Sequence, residues 1–127
     1  MDNNSKNILI VDDETKSAES LAIGLRKAGY HPQVANNGFE GTERLKKAKF
    51  EYILCDINMP DMDGWEFAQK VKTVTDADFI FYTADSRTYK KSNFSHYPLL
   101  IKPIELGNIL ELLQQKGENN NPNKGEN

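Results

Sequence analysis

Five polar residues stand directly behind short apolar runs. Asp12 and Asp13 follow Ile8-Leu9-Ile10-Val11, Asp56 follows Tyr52-Ile53-Leu54-Cys55, Thr83 follows Phe79-Ile80-Phe81-Tyr82, and Lys102 follows Leu99-Leu100-Ile101. Loops are polar, so chance places one such residue after a strand. It is a poor explanation for three acids, a hydroxyl and a lysine. If the three carboxylates meet, each pair repels by roughly 4 kcal/mol at about 4 Å and an effective dielectric near 20. The group must then take up protons or bind a cation. Hard oxygen donors without His or Cys favour Mg²⁺, which keeps several waters and bridges to phosphate. A lysine and a threonine hydroxyl facing the same point suit phosphoryl oxygens. A carboxylate in that company is a competent phosphoryl acceptor, forming an aspartyl-phosphate.

The elements between these residues decide whether they can meet. Asn7 to Val11 is predicted as a first strand. Thr15 to Ala28 is predicted as a helix with Ala18, Leu21, Ala22, Leu25 and Ala28 on one stripe and Gly29 as its stop. Tyr30 to Ala35 reads as a weaker strand, in which Pro32 argues for an edge or an early position. Asn36-Asn37-Gly38 is a turn, and Phe39 to Ala48 a helix. Gly41 and Thr42 leave that helix a thin inner face, so it is expected to be the least stable of the front half. Glu51 to Cys55 has the unbroken apolar character of a strand buried on both faces. A helix opens at Gly64 and carries Trp65, Phe67, Ala68 and Val71. Phe79 to Tyr82 and Leu99 to Ile101 are two further strands, and Ile104 to Gln115 a last helix. Such alternation implies a parallel sheet with right-handed crossovers and helices on both faces. All strand ends then lie on one edge, where ligands bind in open α/β sheets.

The bulk properties narrow the function classes. At 127 residues the chain suits one domain. A net charge of −3 argues against a nucleic-acid interface. No apolar run reaches the roughly 18 residues of a membrane span, and the polar N-terminus lacks a signal core, which points to a cytoplasmic protein. Cys55 is the single cysteine, so it forms no internal disulfide, and inside an apolar strand it reads as a small hydrophobe. The expected organisation is a polar extension over 1–6, a domain over 7–116 and a disordered tail over 117–127.

Ile8 to Glu14 (ILIVDDE), Leu54 to Gly64 (LCDINMPDMDG), Phe81 to Ala84 (FYTA) and Ile101-Lys102-Pro103 resemble the receiver domain of two-component response regulators, over roughly residues 7 to 115. The resemblance implies a flavodoxin-like, doubly wound, five-stranded parallel sheet. It implies that Asp56 accepts a phosphoryl group from a histidine kinase or phosphotransfer protein. It further implies Asp13, Asp56 and the backbone carbonyl of Asn58 as Mg²⁺ ligands, with Asp12 acting through water. Thr83 would be the switch hydroxyl, Lys102 the phosphoryl-binding lysine, and Lys102-Pro103 a cis peptide. Asn58 and Asp85 resemble positions that tune the lifetime of the phosphoryl group, implying measurable autodephosphorylation. The output would be contact with a downstream protein that the sequence does not name.

Two departures from the family pattern stand out. Leu99 occupies a position that is commonly aromatic in the family, with Tyr97 and Tyr82 nearby but displaced. Thr83 to Lys102 spans few residues, so a fourth helix within Arg87 to Pro98 is expected to be short or irregular and the standard dimer is not expected. These features support a second reading, a degenerate receiver acting as a phosphorylation-independent interaction module. An aspartate-nucleophile phosphatase needs a general acid two residues after the nucleophile, and Asn58 cannot supply a proton. A flavin-phosphate site is disfavoured by the acidic first loop. Asp61 and Asp63 read as turn formers, His31 and His96 as isolated residues, and the Lys46-Lys47 and Lys90-Lys91 pairs as solvated. The sequence fits a stand-alone receiver and a piece of a longer protein equally.

Overall fold

The structure is a computed structural model and describes residues 6–85 and 97–119. Five strands, β1 (Asn7–Val11), β2 (His31–Ala35), β3 (Tyr52–Asp56), β4 (Asp78–Thr83) and β5 (Leu99–Ile101), form one parallel sheet in the order β2-β1-β3-β4-β5. Four helices are described: α1 (Thr15–Lys27), α2 (Gly38–Lys47), α3 (Gly64–Lys70) and α4 (Leu106–Asn119). The expected fourth helix within Arg87 to Pro98 lies almost wholly outside the described residues. Lys90, Lys91 and His96 lie outside them too.

Strand alternation divides the core in two. Leu9, Val11, Ile53, Cys55, Phe79 and Phe81 face α2 and α3, where Leu45, Phe67, Ala68 and Val71 meet them. Ile8, Ile10, Tyr52, Leu54, Ile80 and Tyr82 face α1 and α4, where Ala18, Ala22, Leu25, Ile109 and Leu113 meet them. All five residues of β3 are buried, as its continuous apolar run requires. Pro32 lies in β2 at the sheet edge, where its missing N–H costs no ladder bond. Gly29 stops α1 with φ +99°, a conformation that a side chain would strain.

The thin inner face of α2 has a packing reason. A Cβ on Gly41 would lie 3.0 Å from the Phe67 ring and 3.2 Å from Val11, so the volume a larger residue would fill already belongs to α3 and β1. Thr42 is buried with its hydroxyl donating to the Gly38 carbonyl at 2.8 Å. The helix is fixed at its start instead. Asn37 Oδ1 accepts from Glu40 N at 2.8 Å, and Glu40 Oε1 accepts from Asn36 N. Asn37→Ala should therefore cost about 1 kcal/mol, read as a lower urea midpoint at constant slope.

The last helix departs from expectation at both ends. It starts at Leu106 and runs to Asn119, past Gly117, where the sequence composition suggested a tail. Lys116 lies 3.8 Å from Asp78, and Gly117 sits close to the Tyr52 hydroxyl. This turn thus finds partners on the sheet that its own composition does not advertise.

Candidate functional site

Each candidate residue sits at a strand's carboxyl end, and the parallel register brings those ends together. Val11 pairs with Cys55, Asp56 with Tyr82, and Thr83 with Ile101. Asp12 and Asp13 leave β1, Asp56 closes β3, Thr83 closes β4, and Lys102 follows β5.

The acids converge. Carboxylate oxygens of Asp12, Asp13 and Asp56 lie within 4.8 Å of one another, with Asp12 and Asp56 buried and Asp13 exposed. Lys102 crosses from β5 to meet them. Its Nζ donates to Asp56 Oδ2 at 3.0 Å and to Glu14 Oε1 at 2.9 Å, and lies 3.8 Å from Asp12 Oδ2. Three carboxylates thus share the Lys102 ammonium, and Asp13 brings a fourth to the same cluster. Burial and charge act together on these groups. Burial, with Asp12 nearby, pushes Asp56 up to about 6, although Lys102 and the Asn58 N–H hold it down in part. Burial alone would lower Lys102, yet its bonds to Glu14 and Asp56 carry it above its ordinary value.

Asn58 joins the acid to the hydroxyl. Its backbone N–H donates to Asp56 Oδ1 at 3.1 Å, and its side-chain amide donates to Thr83 Oγ1 at 2.8 Å. Asp85 N also donates to Thr83 Oγ1, at 3.1 Å. The Lys102-Pro103 peptide is cis, as the resemblance implied.

The loop after β3 is shaped by the residues read as turn formers. Asp61 has φ +70°, which a short acidic side chain tolerates. Asp63 caps α3 in a reciprocal box with Glu66. Cys55 is fully buried and burial pushes its thiol well up, so it is inert. Leu99 and Tyr97 both pack against the same face of the core. Tyr97 packs edge-on against Phe79 and Phe81, at 6.1 and 5.9 Å between ring centres.

Two partners escaped the sequence reading. Glu14, given no role of its own in the ILIVDDE stretch, takes one of the Lys102 bonds. Tyr82, which looked merely displaced, donates its hydroxyl to Asp12 Oδ2 at 2.8 Å. Strand alternation could have flagged it, since residue 82 must face away from Phe81 and toward α1.

The profile of the response regulator receiver domain matches residues 8–114. The chain belongs to that family. A receiver domain of this kind is a signalling module of two-component systems rather than a classical enzyme. The transcriptional regulatory protein ZraR of Escherichia coli K12 is 27% identical over 119 residues, which is 91% of this receiver and 27% of ZraR. The receiver therefore spans about a quarter of that relative. The response regulator receiver protein CpdR of Brucella abortus is 38% identical over 79 residues, covering 61% of this chain and 66% of CpdR. A stretch of the sensor histidine kinase RcsC of E. coli is 37% identical over 71 residues, covering 56% of this chain and 8% of RcsC. Among solved structures, a CheY-like receiver domain from Methanospirillum hungatei aligns with a TM-score of 0.80 at 29% identity, over 91% of this chain and 96% of that one. The response regulator TrrA of Thermotoga maritima, solved in complex with Mg(2+)-BeF, aligns at 0.77 and 28% identity, over 87% and 97%. No described helix is long and apolar enough to cross a membrane.

Proposed function

We propose that this receiver accepts a phosphoryl group on Asp56 in a Mg²⁺-dependent reaction and signals, in the cytoplasm, by contact with a downstream protein. The observation that carries the reading is the Asp56 carboxylate, buried at a strand end with Lys102 on one oxygen and the Asn58 N–H on the other. Asp12 and Asp13 crowd it, and one ammonium against four carboxylates leaves room for a cation of the hard-oxygen class. Asp13, Asp56 and the Asn58 carbonyl would hold Mg²⁺, with Asp12 through water. When bound, the ion neutralises charge on the incoming phosphoryl group.

The protein's own groups then do the rest. An Asp56 oxygen attacks phosphorus, forming an O–P bond, while the donor's bond to phosphorus breaks and its electron pair leaves with the donor. A phosphohistidine of a histidine kinase or phosphotransfer protein is the proposed donor. Lys102 is placed to exchange the Asp56 oxygen for a phosphoryl oxygen. Thr83, whose hydroxyl donates to the Asp85 carbonyl at 3.4 Å, would exchange that bond for one to a phosphoryl oxygen and so carry the change into the loop after β4.

Incubating the chain with a small-molecule phosphodonor, with and without Mg²⁺, and taking an intact mass tests this. One Mg²⁺-dependent phosphoryl adduct is expected. A folded, Mg²⁺-binding protein that takes no adduct would overturn the reading in favour of the interaction module. The hydrolysis of the adduct is proposed to use Asn58 and Asp85 to orient water. Asp85→Ala should then slow decay by about tenfold, followed as loss of the adduct with time, and an unchanged rate would remove Asp85 from that role.

A further inference from the structure

The hydroxyl of Tyr82 lacks a packing reason. Its ring is 2% exposed and fills the layer between the sheet and α1. The other aromatics of β4, Phe79 and Phe81, carry no hydroxyl. A phenylalanine would satisfy the same hydrophobic demand, and a buried hydroxyl is costly unless it is bonded. The bond this one makes is to Asp12 Oδ2, at 2.8 Å and across 70 residues of sequence. The opposite oxygen, Oδ1, accepts from the Glu14 N–H at 2.9 Å. Asp12 is therefore held at both ends, by its own loop and by β4. Lys102 approaches from above, 3.8 Å from Asp12 Oδ2 and 5.4 Å from the centre of the Tyr82 ring.

We propose that Tyr82 is a positioning residue of the acidic pocket, fixing the Asp12 carboxylate in the orientation in which it supports Mg²⁺. This rests on the Mg²⁺-dependent reading above. The physical argument is one of preorganisation. A carboxylate at a cation site must not turn away when the cation is absent, and repulsion from Asp13 and Asp56 would turn it. A rigid donor on a strand, with few torsions to lose, opposes that rotation at low entropic cost. Outer partners of this kind typically change metal affinity by about 10–100-fold when removed. The link also joins β1 to the residue just before Thr83, so the acid that supports the cation and the strand that carries the switch hydroxyl share one buried bond.

The test is a Mg²⁺ titration by calorimetry without phosphodonor, on wild type, Tyr82→Phe, Asp12→Ala and the double variant, with thermal unfolding of each. Tyr82→Phe should fold and bind Mg²⁺ about tenfold more weakly. Added to Asp12→Ala, it should cause no further loss, because its effect passes through Asp12. An unchanged Mg²⁺ affinity in Tyr82→Phe, with only stability reduced, would overturn the proposal and leave the hydroxyl as a partner for a buried acid. An equal, additive loss in the Asp12→Ala background would overturn it too. Failure of the wild type to bind Mg²⁺ would refute the proposed function itself, and is distinguished by appearing before any substitution.

Discussion

Asp56→Asn should abolish the phosphoryl adduct and, in the same preparation, make the protein more stable at neutral pH. Both follow from one carboxylate. The amide cannot attack phosphorus as a carboxylate does, so the Mg²⁺-dependent adduct should vanish completely, and a persisting adduct would move the acceptor elsewhere. The stability gain comes from linkage. The folded state raises Asp56 to about 6, mainly through burial, whereas an unfolded aspartate titrates near 3.9. Between those values the folded state binds more protons than the unfolded one, so stability falls as pH rises through that window. Above pH 6 the deficit is fully present, amounting to about 1–3 kcal/mol. Asparagine keeps the shape and removes the charge. Urea unfolding should therefore show wild type and variant close together near pH 4 and separated by this amount at pH 7.5, with the variant the more stable. Mg²⁺ should raise the stability of wild type more than that of Asp56→Asn, because a ligand stabilises the state that binds it. A variant less stable than wild type at pH 7.5 would mean that the carboxylate is a net structural asset.

Gly64→Ala should be the most damaging methyl group that can be added near the site. The Cβ would stand 2.6 Å from the Asp56 carbonyl oxygen and 2.8 Å from the Ile57 Cα. Both are backbone atoms and cannot rotate aside. Gly64 N also donates to the Ile57 carbonyl at 2.7 Å, so the loop is drawn against the strand end by the bond that the methyl would prise open. Either the loop lifts, loosening the Asp63–Glu66 cap of α3, or the end of β3 shifts and takes Asp56 with it. A loss of about 3 kcal/mol is expected, together with a slower phosphoryl uptake in whatever remains folded. Gly38 is the internal comparison. A Cβ there would meet the Met62 side chain, whose thioether can move, and Gly38→Ala should stay within about 1 kcal/mol of wild type by that mechanism. If Gly64→Ala also lay within 1 kcal/mol, the close approach of the loop would not be the constraint it looks.

Much of this was legible from residue order because it depends on local signals. Strand runs end in polar residues, and a parallel sheet turns sequence adjacency into a common edge. Asp12, Asp13, Asp56 and Lys102 therefore came together from pattern alone. What was not legible depends on register and packing. That Tyr82 reaches Asp12, and that Glu14 shares Lys102, are facts about neighbouring strands that no local window contains. The inner face of α2 looked thin because the ring that fills it, Phe67, arrives from another helix. The end of α4 was misjudged because Gly117 and its polar neighbours look like a tail until the sheet supplies Asp78 and Tyr52 beside them.

The strand order has a further consequence for the way the pocket is assembled. Its acids come from β1 and β3, within the first 56 residues, whereas Lys102 arrives on β5, the last strand and an edge strand of three residues. A chain emerging from its N-terminus therefore gathers the mutually repelling half of the pocket well before the ammonium that partly offsets it exists. Docking of the shortest strand is the step that brings in this ammonium, so closure of the sheet also offsets part of the pocket's negative charge.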